Sequence, residues 1–222
     1  KIKGMIITSG KADFSGGMDL STLEGLKRNS GPNPASKIFE YIMEGHRLLR
    51  IIELGKIDDS FKSKPVAFAG GGICAGIGTE IGLACHRRFF SGSKRSKIGL
   101  PEILVGLFPG LGGTTRVARM MGLMGASSVL LEGKLFAGDK AKSIGLVDEV
   151  VAEDELIQKA KNWVLSASPQ DLIKPWDQKG FKFPGGAPYH PGGFMSFVGA
   201  SALVNGKTKG LYASAKALLS SI

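Results

Sequence analysis

The stretch Lys64–Arg88 limits what this chain can fold into more than any other. Lys64-Pro65 opens an apolar run, Val66-Ala67-Phe68-Ala69, which stops at Gly70-Gly71-Gly72. An apolar run bounded by Pro and Gly reads as a strand. A helix is expected from about Gly76 to His86, and His86, Arg87 and Arg88 suit its negative C-terminal end. Strand, glycine turn and helix therefore follow one another directly, with an acid, Glu80, in the first helical turn.

Upstream, Lys1–Ser9 reads as a strand built on Met5, Ile6 and Ile7 and stopped by Ser9-Gly10. No turn precedes it, so an earlier element is expected to be missing. Phe14–Leu20 is a glycine-containing loop, and residues 22–36, rich in Gly, Pro and Asn, continue as polar loop. Ser36 is expected to cap a helix running to about Leu54, with Ile38, Ile42, Leu49 and Ile52 on one stripe. Downstream, Phe89-Phe90 reads as strand and Ser91–Lys97 as a charged turn. Helices are expected at Gly113–Met121, Gly125–Glu132, Gly138–Ile144 and Asp154–Ala167, with a strand at Val147–Val151. From Ser168 the character changes: Lys174 to Gly193 is rich in Pro, Gly and aromatics, like an ordered linker. Ala213–Ser221 reads as a last helix.

Composition bounds the function. With 222 residues, 43% hydrophobic and 22% charged, the chain can bury a core and is not disordered. Its formal net charge of +10 suits an anionic ligand, nucleic acid or an acidic membrane surface. Yet no basic run is interleaved with aromatics, and the one tight cluster is Lys94, Arg95 and Lys97; the plain reading is a soluble surface. Cys74 and Cys85 are too few and wrongly spaced for a zinc site or disulfide framework, and read as buried thiols in a reducing compartment. No apolar span approaches the ~20 residues a membrane helix needs, and no signal peptide is visible.

Two carboxylates stand out. Glu80 lies in the first turn of its helix beside Ile81, Leu83 and Ala84. N–H groups at a helix start lack intrahelical partners, and Gly76 and Gly78 flank Ile77, so the Ile77 N–H is a candidate donor to an oxyanion. Glu102 is one acid in the apolar, glycine-rich run Ile98–Leu104, where desolvation raises a carboxyl pKa. Taken singly, each is more often a solvated acid. Gly70-x-Gly72-x-x-Ala75 matches the dinucleotide fingerprint, but the next strand ends in Ser91-Gly92 without the ribose-binding acid. Gly106–Thr114 has the glycines of a phosphate loop but no Lys before Ser or Thr. His46, His86 and His190 show no metal spacing, and no serine sits in a nucleophile elbow, so metal and serine-hydrolase chemistry find no support.

The runs Phe14–Leu20, Lys64–Arg88, Ile98–Gly113 and Ala137–Val147 together resemble, in order, the motifs of the enoyl-CoA hydratase/isomerase (crotonase) superfamily. The Pro101-Glu102-Ile103-Leu104 block with its downstream Pro109-Gly110 and Gly112-Gly113 is the most specific part. The resemblance covers roughly residues 1–165. Lys174–Phe181 resembles the segment after the hydratase domain of bacterial multifunctional fatty-acid oxidation α-subunits, where a 3-hydroxyacyl-CoA dehydrogenase part follows.

The resemblance implies an α/β fold, a spiral of ββα units with C-terminal helices. It implies a core over residues 1–167, short of its first strands, and a linker-like tail over 168–222 leading to an absent dehydrogenase region. The implied activity is hydration of a 2-enoyl-CoA to a 3-hydroxyacyl-CoA in fatty-acid β-oxidation. Glu80 and Glu102 then match the two catalytic glutamates, and the backbone N–H groups of Met18 and Ile77 match the pair that binds the thioester oxygen. Gly16, Asp19, Leu20, Gly76, Pro101 and Gly110 fall at substrate-binding positions, Gly110 where the attacking water approaches. No metal and no separate cofactor is implied, because coenzyme A is part of the substrate. Expected partners are the acyl-CoA thioester and either further copies in a trimer or larger assembly or a thiolase subunit. A bacterial cytoplasmic or mitochondrial matrix location follows from the same resemblance. Two features depart from the family pattern: Ile77 stands where most relatives have glycine, and the 22-position separation of Glu80 and Glu102 is about two longer than usual. The sequence does not say which glutamate does which step. The alternatives are a 3-enoyl-CoA to 2-enoyl-CoA isomerase, a non-catalytic RNA-binding chain, and an inactive fragment.

Overall fold

A computed structural model describes residues 2–187 and 189–222, apart from the side chain of Lys207. Two sheets organise the chain. The larger contains β1 (Met5–Thr8), β2 (Val66–Gly70), β4 (Arg87–Ser91) and β7 (Glu149–Val151), adjacent in that order and all parallel. The smaller contains β3 (Ile73–Ala75), β5 (Lys97–Gly99) and β6 (Leu135–Ala137), with β5 parallel to β3 and antiparallel to β6. This is the α/β architecture the resemblance implied.

Every residue of β2 is buried, because a central parallel strand is covered on both faces. Its two faces feed different cores. Ala67 and Ala69 pack with Leu156, Ala160 and Val164 of helix α6 (Leu156–Ser166), while Val66 and Phe68 point into the main core with Leu83, Phe90 and Val117. Alternation along one strand thus joins two apolar layers.

Several elements differ from the sequence expectation. Of the expected strand Lys1–Ser9, only Met5–Thr8 pairs, and Lys1 lies outside the described residues. The expected loop over 22–36 contains a helix, α1 (Leu20–Asn29). Asp19 caps it by accepting the Ser21 N–H at 2.9 Å, and Glu24 and Arg28 pair one turn apart. The long helix α2 (Pro34–Leu54) starts two residues before Ser36. Asn33 is its cap and accepts the Ser36 N–H at 3.2 Å, with Pro34 pre-set in the first turn. Helix α3 (Ile77–Ala84) stops before His86, so Arg87 and Arg88 belong to β4. Their backbones continue the sheet, and Arg88 forms a fork with Asp148 at 2.7 and 2.8 Å instead of facing a helix end.

The two helices expected at 113–121 and 125–132 are present as the two halves of α4 (Gly113–Leu130), broken at Gly122, whose non-helical φ of 71° and ψ of 171° only glycine adopts readily. Helix α5 (Gly138–Ser143) stands where expected. Between a tail of turns and α8 (Ala213–Ser220) lies a helix the sequence reading lacked, α7 (Pro191–Thr208), capped by His190, which accepts the Gly192 N–H. Its apolar residues fall on no single stripe, so periodicity gave no sign of it. Leu218 of α8 is fully buried in the main core. No helix among the described residues is long and apolar enough to cross a membrane.

Candidate active site

Glu80 sits in the first turn of α3, and the helix is brought there by the turn at Gly76, whose φ is 56° and ψ −127°. Its side chain is 2% exposed. One oxygen, Oε1, accepts two backbone N–H groups, from Leu111 and Gly113, each at 2.8 Å. Both donors come from the glycine-rich run that leads into α4. Burial pushes the Glu80 pKa up, opposed by these two N–H groups and by the Arg116 guanidinium. A Cβ on Gly113 would crowd this contact, standing 3.0 Å from both Cγ and Oε1 of Glu80.

Glu102 opens a 3-10 turn, Glu102–Val105, after Pro101, and that turn closes on Gly106 in the left-handed region. Its Oε2 is fully buried and has no hydrogen-bond partner among the described residues. Burial pushes its pKa up to about 7; the Glu80 charge adds to the rise, and its own backbone N–H opposes it. The two acids therefore sense one another. Gly76 links them in space: a Cβ there would stand 3.3 Å from Glu102 Oε1. The turn after β4, between the two acids in sequence, is pinned by Ser96, which accepts the Gly72 N–H at 2.9 Å.

The segments that carry Met18 and Ile77 run close to one another. Ser15 bridges to β3, donating its N–H to Ile73 and accepting that of Ala75. A Cβ on Gly76 would meet the Cα of Gly17 at 3.3 Å, so these two glycines touch and Met18 and Ile77 follow directly on each. The Ile77 N–H, first in α3, has no acceptor within its own helix. The isoleucine side chain packs against the buried cluster of Leu49, Ala84 and Leu111. Gly16 is exposed and uncrowded, and Asp19 and Leu20 form the cap and first residue of α1. A Cβ on Gly110 would stand 3.5 Å from Ile42 of α2, an ordinary van der Waals contact. The structure thus gathers Gly76, Ile77, Glu80, Glu102, Gly17 and Met18 around one region. Asp19 and Leu20 lie on its outer edge.

Sequence reasoning missed the frame behind Glu80. Arg116, 7% exposed, donates from Nη1 to the Leu111 carbonyl at 2.9 Å and from Nε to Glu53 Oε1 at 3.0 Å. Glu53 of α2 is 4% exposed, so this is a buried ion pair between distant helices. The one available signal was an acid, Glu53, at a buried position of an amphipathic helix, and that does not name its partner. His46 packs beside Arg116 and the Gly110 backbone; burial and the Arg116 charge lower its pKa.

The geometry places the buried Glu80 and the half-buried Glu102 close to the turn at Gly76 in an α/β fold. A family model for enoyl-CoA hydratase/isomerase matches residues 1–172, and the chain belongs to that family. Among known proteins it is 36% identical over 212 residues to the fatty acid oxidation complex subunit alpha of Shewanella loihica, covering 95% of this chain and 28% of that one. It is 34% identical over 177 residues to the glyoxysomal fatty acid beta-oxidation multifunctional protein MFP-a of Cucumis sativus, covering 79% of this chain and 22% of that one. The chain thus spans about a quarter of the length of these relatives. Among solved structures, the enoyl-CoA hydratase of Bacillus anthracis is 28% identical, with a TM-score of 0.58 over 73% of this chain and 58% of that one. An enoyl-CoA hydratase from Polaromonas, 24% identical with a TM-score of 0.63 over 77% and 63% of the two chains, shares the fold.

Proposed function

We propose that this chain hydrates the double bond of a 2-enoyl-CoA, giving a 3-hydroxyacyl-CoA, with Glu80 and Glu102 as the two acids. The single observation that carries the proposal is the nearness of two carboxyl groups, the buried Glu80 and the half-buried Glu102, beside the turn at Gly76. Burial pushes both pKa values up, but at Glu80 two N–H donors and the Arg116 charge oppose it in favour of the anion, whereas Glu102 Oε2 is buried without a partner among the described residues, which favours the neutral acid.

Those settings support a division of labour. A 2-enoyl thioester is electrophilic at C3. Glu80 takes a proton from water as the oxygen bonds to C3, and the π electrons move toward the thioester oxygen. The N–H groups of Met18 and Ile77 stabilise that enolate-like charge, each such donor contributing about 2.7–4 kcal/mol in enzymes where one has been removed. Glu102 delivers its proton to C2, and the sum is one water added. General acid–base assistance of this kind contributes about 10²–10⁴-fold. Gly110, Pro101, Gly16, Asp19 and Leu20 border the substrate in this reading. Coenzyme A enters as part of the substrate and no separate cofactor takes part.

A place beside other activities of a longer multifunctional chain, and assembly with further copies or a thiolase subunit, belong to the same proposal. They are supported by relatives named as a multifunctional protein and as a complex subunit. Isomerisation of a 3-enoyl thioester is the second reading, favoured by the family's joint description as hydratase and isomerase.

The test follows loss of the conjugated thioester absorbance of crotonyl-CoA. Wild type turns over, and Glu80→Gln and Glu102→Gln each lose at least about a hundredfold in kcat. Undiminished activity in either variant sinks the two-acid assignment, and turnover of only a 3-enoyl thioester replaces hydration by isomerisation. Steeply salt-dependent RNA binding with no thioester turnover replaces catalysis by a binding role.

A further inference from the structure

The stretch Lys174–Asp177 lies beyond the residues matched by the family model, yet it reaches the surroundings of Glu80 by two routes. The first runs through side chains. Asp177 forms a fork with Arg50, both contacts 2.9 Å, and Arg50 donates to Glu53 Oε2 at 2.7 Å. Glu53 holds Arg116, Arg116 holds the Leu111 carbonyl, and the Leu111 N–H holds Glu80. The side-chain charges alternate in sign from Asp177 through Arg50, Glu53 and Arg116 to Glu80.

The second route runs through α3 itself. Lys174 is 6% exposed, burial lowers its pKa to about 7, and its Nζ donates to the carbonyls of Leu83 and Cys85, at the C-terminal end of the helix whose first turn carries Glu80. A cation is favourable at that end of a helix dipole. Lys174 and Asp177 are three residues apart on one 3-10 turn that also packs Trp176 against the Lys174 ammonium at 5.5 Å. One short segment therefore fixes the far end of α3 and the loop opposite it.

We infer that Lys174 and Asp177 are positioning residues that hold the Glu80 carboxylate at the geometry its chemistry needs. The inference rests on the reading of Glu80 as one of the two acids. It makes two amides, Leu111 and Gly113, the sensors of the tail's state.

The experiment uses the full 222-residue chain with two readouts. In the first, Asp177→Ala lowers kcat for crotonyl-CoA between about tenfold and a hundredfold at unchanged KM, and Asp177→Glu restores it. In the second, hydrogen exchange at the Leu111 and Gly113 amides speeds up by about tenfold or more in Asp177→Ala and Lys174→Met, while the Phe68 and Val117 amides keep their wild-type rates. Glu153→Gln, which breaks the exposed Arg95–Glu153 pair, changes neither readout. Wild-type exchange at Leu111 and Gly113, or uniform acceleration across the chain, overturns the inference. Wild-type turnover by Glu80→Gln overturns the underlying reading instead, and the exchange readout still decides the positioning claim.

Discussion

Glu102 carries a linkage that equilibrium unfolding reads directly. Its pKa rises from an ordinary 4.5 to about 7 on folding, chiefly through burial. Between those values the folded chain binds more protons than the unfolded one, so stability falls as pH rises through that window. The contribution is fully present below pH 4.5 and gone above about 7, a difference of about 3 kcal/mol. Because other shifted groups titrate in the same window, the test is the difference between two proteins: in urea unfolding at pH 5 and pH 8, Glu102→Gln should gain stability relative to wild type as pH rises, and an equal pH dependence in both would contradict the linkage. Gly113 gives a second prediction: Gly113→Ala pushes a methyl into Glu80 and should cut kcat by about a hundredfold, as initial rates on crotonyl-CoA would show. The acids themselves were legible, because an ordered set of motifs surrounds them. Their surroundings were not. Arg116 and Glu53 meet across 63 positions, and nothing local in either stretch requires the contact.

At the scale of elements, what the sequence revealed depended on whether a segment's order is local. The strand Val66–Ala69 and the start of α3 were readable from a short apolar run and its glycines. Helix α1 was not, since a Gly/Pro/Asn-rich stretch reads as loop while its Asp19 cap and Glu24–Arg28 pair act only once the helix exists. The bend in α4 was foreshadowed as a break between two helices, and Gly122 shows why. A Cβ there would collide with the Pro184 carbonyl at 2.4 Å, in a backbone region that L side chains rarely adopt. Gly122→Ala should therefore destabilise the fold by more than about 1 kcal/mol, read as a lower urea midpoint. The β4–β7 edge depends on Asp148, which takes the Arg88 guanidinium and backbone N–H together. Asp148→Asn leaves Arg88 half-paired in a largely buried place and should cost about 3 kcal/mol, measured the same way.

The whole molecule is tied together from its tail inward. Leu218 reaches the main core fully buried, and Lys174 and Asp177 grip α3 and α2. Leu218→Ala should cost about 2–5 kcal/mol, a core-sized loss, in the same unfolding assay; a change under about 0.5 kcal/mol would mark the tail as an appendage. The linker-like composition of 174–193 concealed these contacts, because Pro, Gly and aromatic residues signal neither a helix nor a strand. The central claim is that Glu80 and Glu102 act in one hydration step at one thioester. The direct measurement is a double-mutant cycle on kcat for crotonyl-CoA, with 3-hydroxybutyryl-CoA quantified chromatographically for wild type, Glu80→Gln, Glu102→Gln and the double variant. Groups acting as a unit lose grossly non-additively, so the double variant should be about as slow as the slower single one. Losses that multiply would show two independent contributions and contradict the account.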